Sequence, residues 1–228
     1  MSRSPNHPMK RILIPELLDT DSASRAEIAA ALADLRMVNR WFGGAGTMYR
    51  LVREIVRRTG KRELSLLDVG GASGDIPVRV SRQLAGEGVH VSFVVLDRSA
   101  SHLNGTGRVV AGDGLTLPFA DNAFDLVGSS LFAHHLEPGE LVRCINESLR
   151  VARVAALVSD LRRSAAHLAL IYAGFPLYRS RIARHDAPAS VRRAYTPAEL
   201  RELLEATRAT AVEMSNHYLC RMGAIAWR

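Results

Sequence analysis

The sequence predicts an α/β fold: a single domain with a seven-stranded, mostly parallel sheet, helices on both faces and an N-terminal helical appendage. Three observations predict it. Short apolar runs alternate with helical segments from Leu64 onward, and such alternation implies parallel strands joined by crossovers. Two helical patterns stand before the first of these strands. The chain has 228 residues, 47% hydrophobic and 23% charged, which suits one domain with a sizeable core and not a disordered chain.

The elements follow in order. Ser24-Arg25-Ala26-Glu27 is a capping-box signature, and behind it Ile28, Leu32, Leu35 and Val38 recur at helical spacing. Gly43-Gly44 closes that helix. A second runs from about Thr47 to Thr59 and stops at Gly60. Leu64–Val69 is a buried strand closed by Gly70-Gly71, and a helix follows over about Ile76–Leu84. Val91–Leu96 is a second strand ending at Asp97, Arg108–Ala111 a short third, and Ala123–Val127 a fourth. A helix over about Pro138–Val151 leads to a fifth strand, Val154–Ser159. Thr196 caps a helix that begins at Pro197 and reaches Ala206. Two last strands are expected near Thr210–Met214 and Met222–Trp227.

Residues 161–197 break the alternation. An apolar stretch, Ala165 to Tyr178, is interrupted by Pro176, and the basic residues Arg179, Arg181, Arg184, Arg192 and Arg193 follow. The expected organisation is a helical cap over 1–60 and a sheet domain over 61–228, with a lid-like insertion at about 161–197.

Composition narrows the function. No apolar run reaches the roughly 18–20 residues that span a bilayer, and the polar segment Met1–Lys10 lacks the apolar centre of a secretory signal. Cys144 and Cys220 stand far apart without CxxC spacing. That suits the cytoplasm and points to no metal site. The net charge is +7, and Lys10 and Lys61 are the only lysines. Such charge suits nucleic acid, a membrane surface or an anionic substrate, and equally a solvated basic surface.

The informative stretch is Leu66-Leu67-Asp68-Val69-Gly70-Gly71-Ala72-Ser73-Gly74-Asp75. A strand enters a glycine-rich turn and then a helix, whose N-terminus offers unpaired N–H groups to a ligand. A dinucleotide fingerprint would need glycine at 70, 72 and 75, but Ala72 and Asp75 stand there. An NAD-dependent dehydrogenase is therefore disfavoured. Asp97 ends the second strand, where a carboxylate can accept two hydrogen bonds from vicinal ribose hydroxyls. Arg98 can lay its stem or guanidinium plane on an adenine. Gly112-Asp113-Gly114 is followed by Leu117-Pro118-Phe119. Phe124-Asp125-Leu126-Val127 is followed by Ser129-Ser130-Leu131-Phe132-Ala133-His134-His135-Leu136.

These four motifs, in this order, resemble the class I, Rossmann-like S-adenosylmethionine (SAM)-dependent methyltransferases over about residues 64–161. Ala194–Leu200 also resembles the small-molecule members near the ubiquinone/menaquinone-biosynthesis group. Gly70 and Gly74 match the family's glycine turn, and Ala72 departs from its middle glycine. The resemblance implies SAM as cofactor, held by Asp68, Gly70, Gly71, Gly74, Asp97, Arg98, Gly112, Asp113, Gly114 and Ser129. It implies Asp97 on the ribose and Asp113 at the adenine amino group.

SAM carries an activated leaving group, so alignment and exclusion of water do most of the work. A general base adds to this when the acceptor is a hydroxyl. His134 and His135, after the fourth strand, are the first candidate bases, and His185 beside Asp186 is the next. His167 and His217 rank below them, and Tyr172 and Tyr178 are expected to pack, with lining a substrate pocket as the alternative. The apolar half of 161–197 suits a pocket for an aromatic or prenylated acceptor, a membrane surface, or plain packing on the sheet. Trp41-Phe42 is expected near the site if the N-terminal helices close over it.

The expected function is transfer of a methyl group to oxygen or carbon of a small phenolic, quinol or polyketide-like acceptor, in quinone biosynthesis or secondary metabolism. The alternatives are an RNA or protein methyltransferase and a SAM-binding regulator without turnover. Against the nucleic-acid reading, Ser129-Ser130-Leu131-Phe132 replaces the Asn/Asp-Pro-Pro-aromatic motif of base-amino methylation, and basic residues with interleaved aromatics are few.

Overall fold

The computed structural model describes residues 9–20, 23–99 and 108–228. The polar opening segment, residues 1–8, lies outside them. Five strands run parallel: β1 (Glu63–Val69), β2 (His90–Asp97), β3 (Arg108–Ala111), β4 (Phe124–Ser130) and β5 (Ala152–Leu161). A hairpin closes the sheet: β7 (Arg221–Trp227) inserts antiparallel beside β5, and β6 (Ala211–His217) takes the edge. The order is β3-β2-β1-β4-β5-β7-β6. It reverses direction between β1 and β4, and that is where open α/β sheets bind ligands, beyond the carboxyl ends of the strands.

Strand alternation sorts side chains onto two faces. Leu64 and Leu66 of β1, Leu126 of β4, Leu157 of β5 and Ile225 of β7 share one face. There they meet α2 (Gly44–Thr59) through Met48, Leu51, Val52 and Ile55, and α3 (Asp75–Ala85) through Ile76, Val80 and Leu84. Each such side chain contributes about 1.5–3 kcal/mol on burial, so α2 is held as part of the covering layer. On the other face α4 (Pro138–Val151) and α7 (Pro197–Glu205) cover Ala156, Val158, Ala224 and Ala226. The expected caps are present. Ser24 and Glu27 exchange hydrogen bonds at the start of α1 (Arg25–Trp41), Thr196 and Glu199 do so at α7, and Gly60 closes α2 in a left-handed conformation.

The 161–197 segment folds as α5 (Ala165–Ala173), a short 3₁₀ turn and α6 (Arg181–Arg193). Helix α6 continues through Pro188, which the sequence pattern did not suggest. With α1, these helices roof the carboxyl end of the sheet. The roof is tied by Asp34 of α1, whose carboxylate accepts the backbone N–H groups of Arg179 and Ser180 at 3.0 and 2.8 Å. The stretch before α1 crosses the same roof as a strap. Ile12 N–H donates to the Arg192 carbonyl, and the N–H groups of Leu17 and Leu18 donate to the Asp186 carboxylate.

Candidate active site

A cleft of about 540 Å³ opens at the switch point between β1 and β4, beneath the roof. Gly70, Gly71 and Ala72 line it, with Asp97 and Arg98 after β2, Gly112, Asp113 and Gly114 after β3, and Ser130, Leu131 and Phe132 after β4. The glycine turn and the end of β2 are bound together. Gly70 N–H donates to the Leu96 carbonyl at 2.8 Å, and Ala72 N–H donates to Asp97 Oδ2 at 3.0 Å.

Glycine is required at two points for different reasons. Gly70 has φ +67°, and a Cβ there would lie 2.6 Å from the Phe132 ring. At Gly71 a Cβ would lie 2.5 Å from Asp68 Oδ2. Ala72 holds φ +44°, a left-handed conformation that costs an L-residue about 1–2 kcal/mol. It fits the turn but is strained in it.

Three carboxyls face one another here. Asp68 is buried, and burial first, then the charges of Asp75 and Asp97, push it up to about 8. Asp75 is also raised by burial, although Asn39 and Ser73 donate hydrogen bonds to it. A concentration of buried acids suits a cationic ligand, whose charge would relieve their repulsion. Asp113 stands at the exposed rim, its Oδ1 accepting the Leu115 N–H at 2.8 Å.

Two expected binding residues stand back from the cleft. Gly74 is buried as the left-handed N-cap of α3 and shapes the turn from behind. Ser129 is buried within β4, and the next residue, Ser130, lines the cleft, because side chains alternate across a strand. Asp125 of the Phe-Asp-Leu-Val run serves the sheet: it accepts hydrogen bonds from Ser65 N–H and Oγ and pairs with Lys61 at 2.7 Å.

The histidines separate. His134 is fully enclosed. Its backbone N–H donates to Asp160 Oδ2 at 2.9 Å, its Nδ1 lies 2.7 Å from Asp160 Oδ1, and its Nε2 lies 3.5 Å from Glu16 Oε1. Burial works to lower it, but Asp160 and Glu16 overcome burial and hold it at about 9. In that state both ring nitrogens are engaged and the imidazolium takes no proton at neutral pH, so the base role expected of His134 does not fit the ligand-free chain. His135 is half-buried on the cleft wall, with Nδ1 3.0 Å from Asp19 Oδ2 and Nε2 3.7 Å from Glu16 Oε2. His185 is exposed and does not line the cleft. Its neighbour Asp186 does, and clamps the strap. His167 packs against the Arg162 carbonyl, and burial lowers it to about 4.

The far end of the cleft is an apolar chamber. Leu35 and Val38 come from α1, Ile171 from α5, Tyr178 and Ile182 from the segment into α6, and Leu161 from β5. Into it points Arg221, the first residue of β7, which is 1% exposed. Its Nε donates to the Phe42 carbonyl at 3.2 Å, and neither Nη has a hydrogen-bond partner among the described residues. Burial lowers it to about 10. Trp41, expected at the site, is instead 63% exposed and stacks with Arg40 on the outer surface.

Residues 67–158 match the methyltransferase domain family model. That segment, about two fifths of the chain, is similar to a methyltransferase domain. Over 120 residues it is 33% identical to the demethylmenaquinone methyltransferase of Roseiflexus sp. (strain RS-1), an alignment that covers 51% of this chain and 50% of that protein. The chain thus spans about half the length of the curated relative it matches. Among solved structures, the plantazolicin methyltransferase BpumL, in complex with a monoazolic desmethylPZN analog and SAH, superposes with a TM-score of 0.65 at 14% identity, over 92% of this chain and 91% of that one. A SAM-dependent methyltransferase from Aquifex aeolicus superposes at 0.53 and 17% identity, over 77% and 88%. These likenesses show that the domain has the Rossmann-like methyltransferase fold, with the glycine turn inside the matched segment. Among the described residues no helix is long and apolar enough to cross a membrane.

Proposed function

We propose that the protein transfers a methyl group from SAM to oxygen or carbon of a small phenolic, quinol or polyketide-like acceptor. One observation carries the reading: a single cleft joins the glycine turn and Asp97 at one pole to the Arg221 chamber at the other. SAM would lie with its ribose on Asp97, its adenine toward Arg98 and Asp113, and its cationic end toward Asp68 and Asp75. The methyl group would then face Phe132, His135 and the chamber.

The chamber supports an apolar acceptor with one oxygen-bearing group. Its walls are aliphatic and aromatic, and a buried guanidinium with unfilled N–H groups suits a carbonyl or oxyanion. The match to a demethylmenaquinone methyltransferase supports a quinol-type acceptor. Closure by α1, α5 and α6 excludes water from the sulfonium. The test is transfer of labelled methyl from SAM into a panel of phenols, hydroxyquinones and quinols. The reading requires transfer to at least one of them, with Arg221→Met raising KM more than it lowers kcat.

A second reading has its own support. A wider groove of about 740 Å³ on the outer surface is lined by Arg36, Arg40, Arg50, Arg79 and Arg82, with Trp41 and Tyr218 exposed beside them. Basic side chains with aromatics suit a single-stranded nucleic acid. Label entering bulk RNA but no small molecule would put this reading first.

A further inference from the structure

Glu16 is brought against the adjacent His134 and His135 from more than a hundred residues away in sequence. Their ligand-type atoms all lie within 4.8 Å of one another. His134 Nε2 stands 3.5 Å from Glu16 Oε1, and His135 Nε2 stands 3.7 Å from Glu16 Oε2. Ligands at about 2.0–2.1 Å from a tetrahedral ion lie about 3.4 Å apart, so these separations come close to the spacing of donors around one ion.

The surroundings carry the argument further. Histidines that bind a metal turn their other ring nitrogen to a carboxylate or carbonyl, which fixes the ring and its tautomer. Both rings do this here. His134 Nδ1 is on Asp160 at 2.7 Å, His135 Nδ1 is on Asp19 at 3.0 Å, and both Nε2 atoms are left facing Glu16. Glu16 is itself positioned: the Ser190 hydroxyl donates to its Oε1 at 2.9 Å, and Asp186 holds the following two N–H groups. Arg193, with its Nη1 at 3.8 Å from Glu16 and 3.7 Å from Asp19, balances part of the negative charge. All three ligand residues line the cleft.

We propose that Glu16, His134 and His135 form a divalent-metal site, of the zinc or cobalt type, with its remaining positions open to the cleft. Two imidazoles and one carboxylate are a borderline-soft set that suits Zn²⁺ or Co²⁺ over Mg²⁺ or Ca²⁺. The ion takes the space between the His134 and His135 Nε2 atoms and the Glu16 carboxylate. Its open positions take water or an oxygen of a ligand in the cleft. The site stands on its own geometry and does not depend on the methyl-transfer reading.

The experiment is a Co²⁺ titration of the full chain, followed by visible absorption, with Zn²⁺ competition and calorimetry for stoichiometry. The expected result is one ion per chain, a spectrum of low coordination number, and displacement of Co²⁺ by Zn²⁺. Glu16→Gln and His135→Ala should each weaken Co²⁺ binding at least tenfold while keeping the wild-type far-ultraviolet circular dichroism. Asp19→Asn should weaken it by about 10–100-fold. Asp97→Ala should keep the Co²⁺ spectrum, so failure of the SAM reading and failure of the metal reading are told apart. No binding by the wild type, or undiminished binding by folded Glu16→Gln, overturns the proposal.

Discussion

Asp68 gives the sharpest prediction about the cofactor pole. Its carboxyl is buried beside Asp75 and Asp97 and stands at about 8, so at pH 7 it is about nine-tenths protonated in the free protein. The sulfonium and ammonium of SAM would place positive charge among these acids and favour the ionised form. Binding at pH 7 should therefore release about 0.9 proton, and affinity should rise nearly tenfold between pH 6 and pH 7. The amino group of SAM, with a pKa of about 7.7–8.0, stays charged through that range, so the slope belongs to the protein. The sign for folding is opposite. A carboxyl raised from its ordinary value makes the empty fold less stable as pH climbs from about 4 to 8, and saturating SAM should remove that loss. Calorimetry at pH 7 in two buffers of different ionisation enthalpy counts the protons directly. Asp68→Asn should flatten both the proton release and the pH dependence. Affinity independent of pH in the wild type, with no proton released, would refute the reasoning.

Other predictions concern the turn and the chamber. Gly70→Ala forces an L-residue into φ +67° against Phe132; the backbone costs about 1–2 kcal/mol and the overlap about 1–3, so Tm should fall by at least about 4 °C and SAM binding should weaken. Ala72→Gly relieves the left-handed alanine, worth about 1–2 kcal/mol, while adding chain entropy worth about 0.4–1 kcal/mol; thermal melting should show a net gain between about 0 and 1.6 kcal/mol with SAM affinity kept. Arg221→Met removes a buried guanidinium with unpartnered Nη groups; Tm should rise, because the desolvation cost of a buried charge is relieved, while acceptor affinity drops.

Much of the glycine-turn end of the cleft was legible because its signals are local. The strand-to-glycine turn at 66–75 and Asp97 at the end of β2 sit within short stretches whose backbone needs are written in glycine and strand patterns. The capping pair Ser24/Glu27 and the Thr196 cap were legible for the same reason. The register within β4 was harder. The expected strand stopped at Val127, whereas the structure carries it to Ser130, and one residue of alternation decides that Ser130 and not Ser129 meets the cleft. Helix α6 was hidden by Pro188 and by a basic composition with little apolar period. The opposite end of the cleft, with the chamber, was least legible. Glu16 and Asp19 come from the strap, Arg221 from the last strand and Asp186 from α6, and nothing local marks them as neighbours. His134 shows the same limit: its position after β4 suggested a base, and only the tertiary partners Asp160 and Glu16 reveal why it is held charged.

The account rests on SAM lying across Gly70 and Asp97, and calorimetry with SAM, S-adenosylhomocysteine and NAD tests it most directly. The wild type should bind SAM and S-adenosylhomocysteine but not NAD, and Asp97→Ala should lose SAM binding while its melting curve stays cooperative. SAM binding unchanged in folded Asp97→Ala, or NAD binding in preference to SAM, would contradict it.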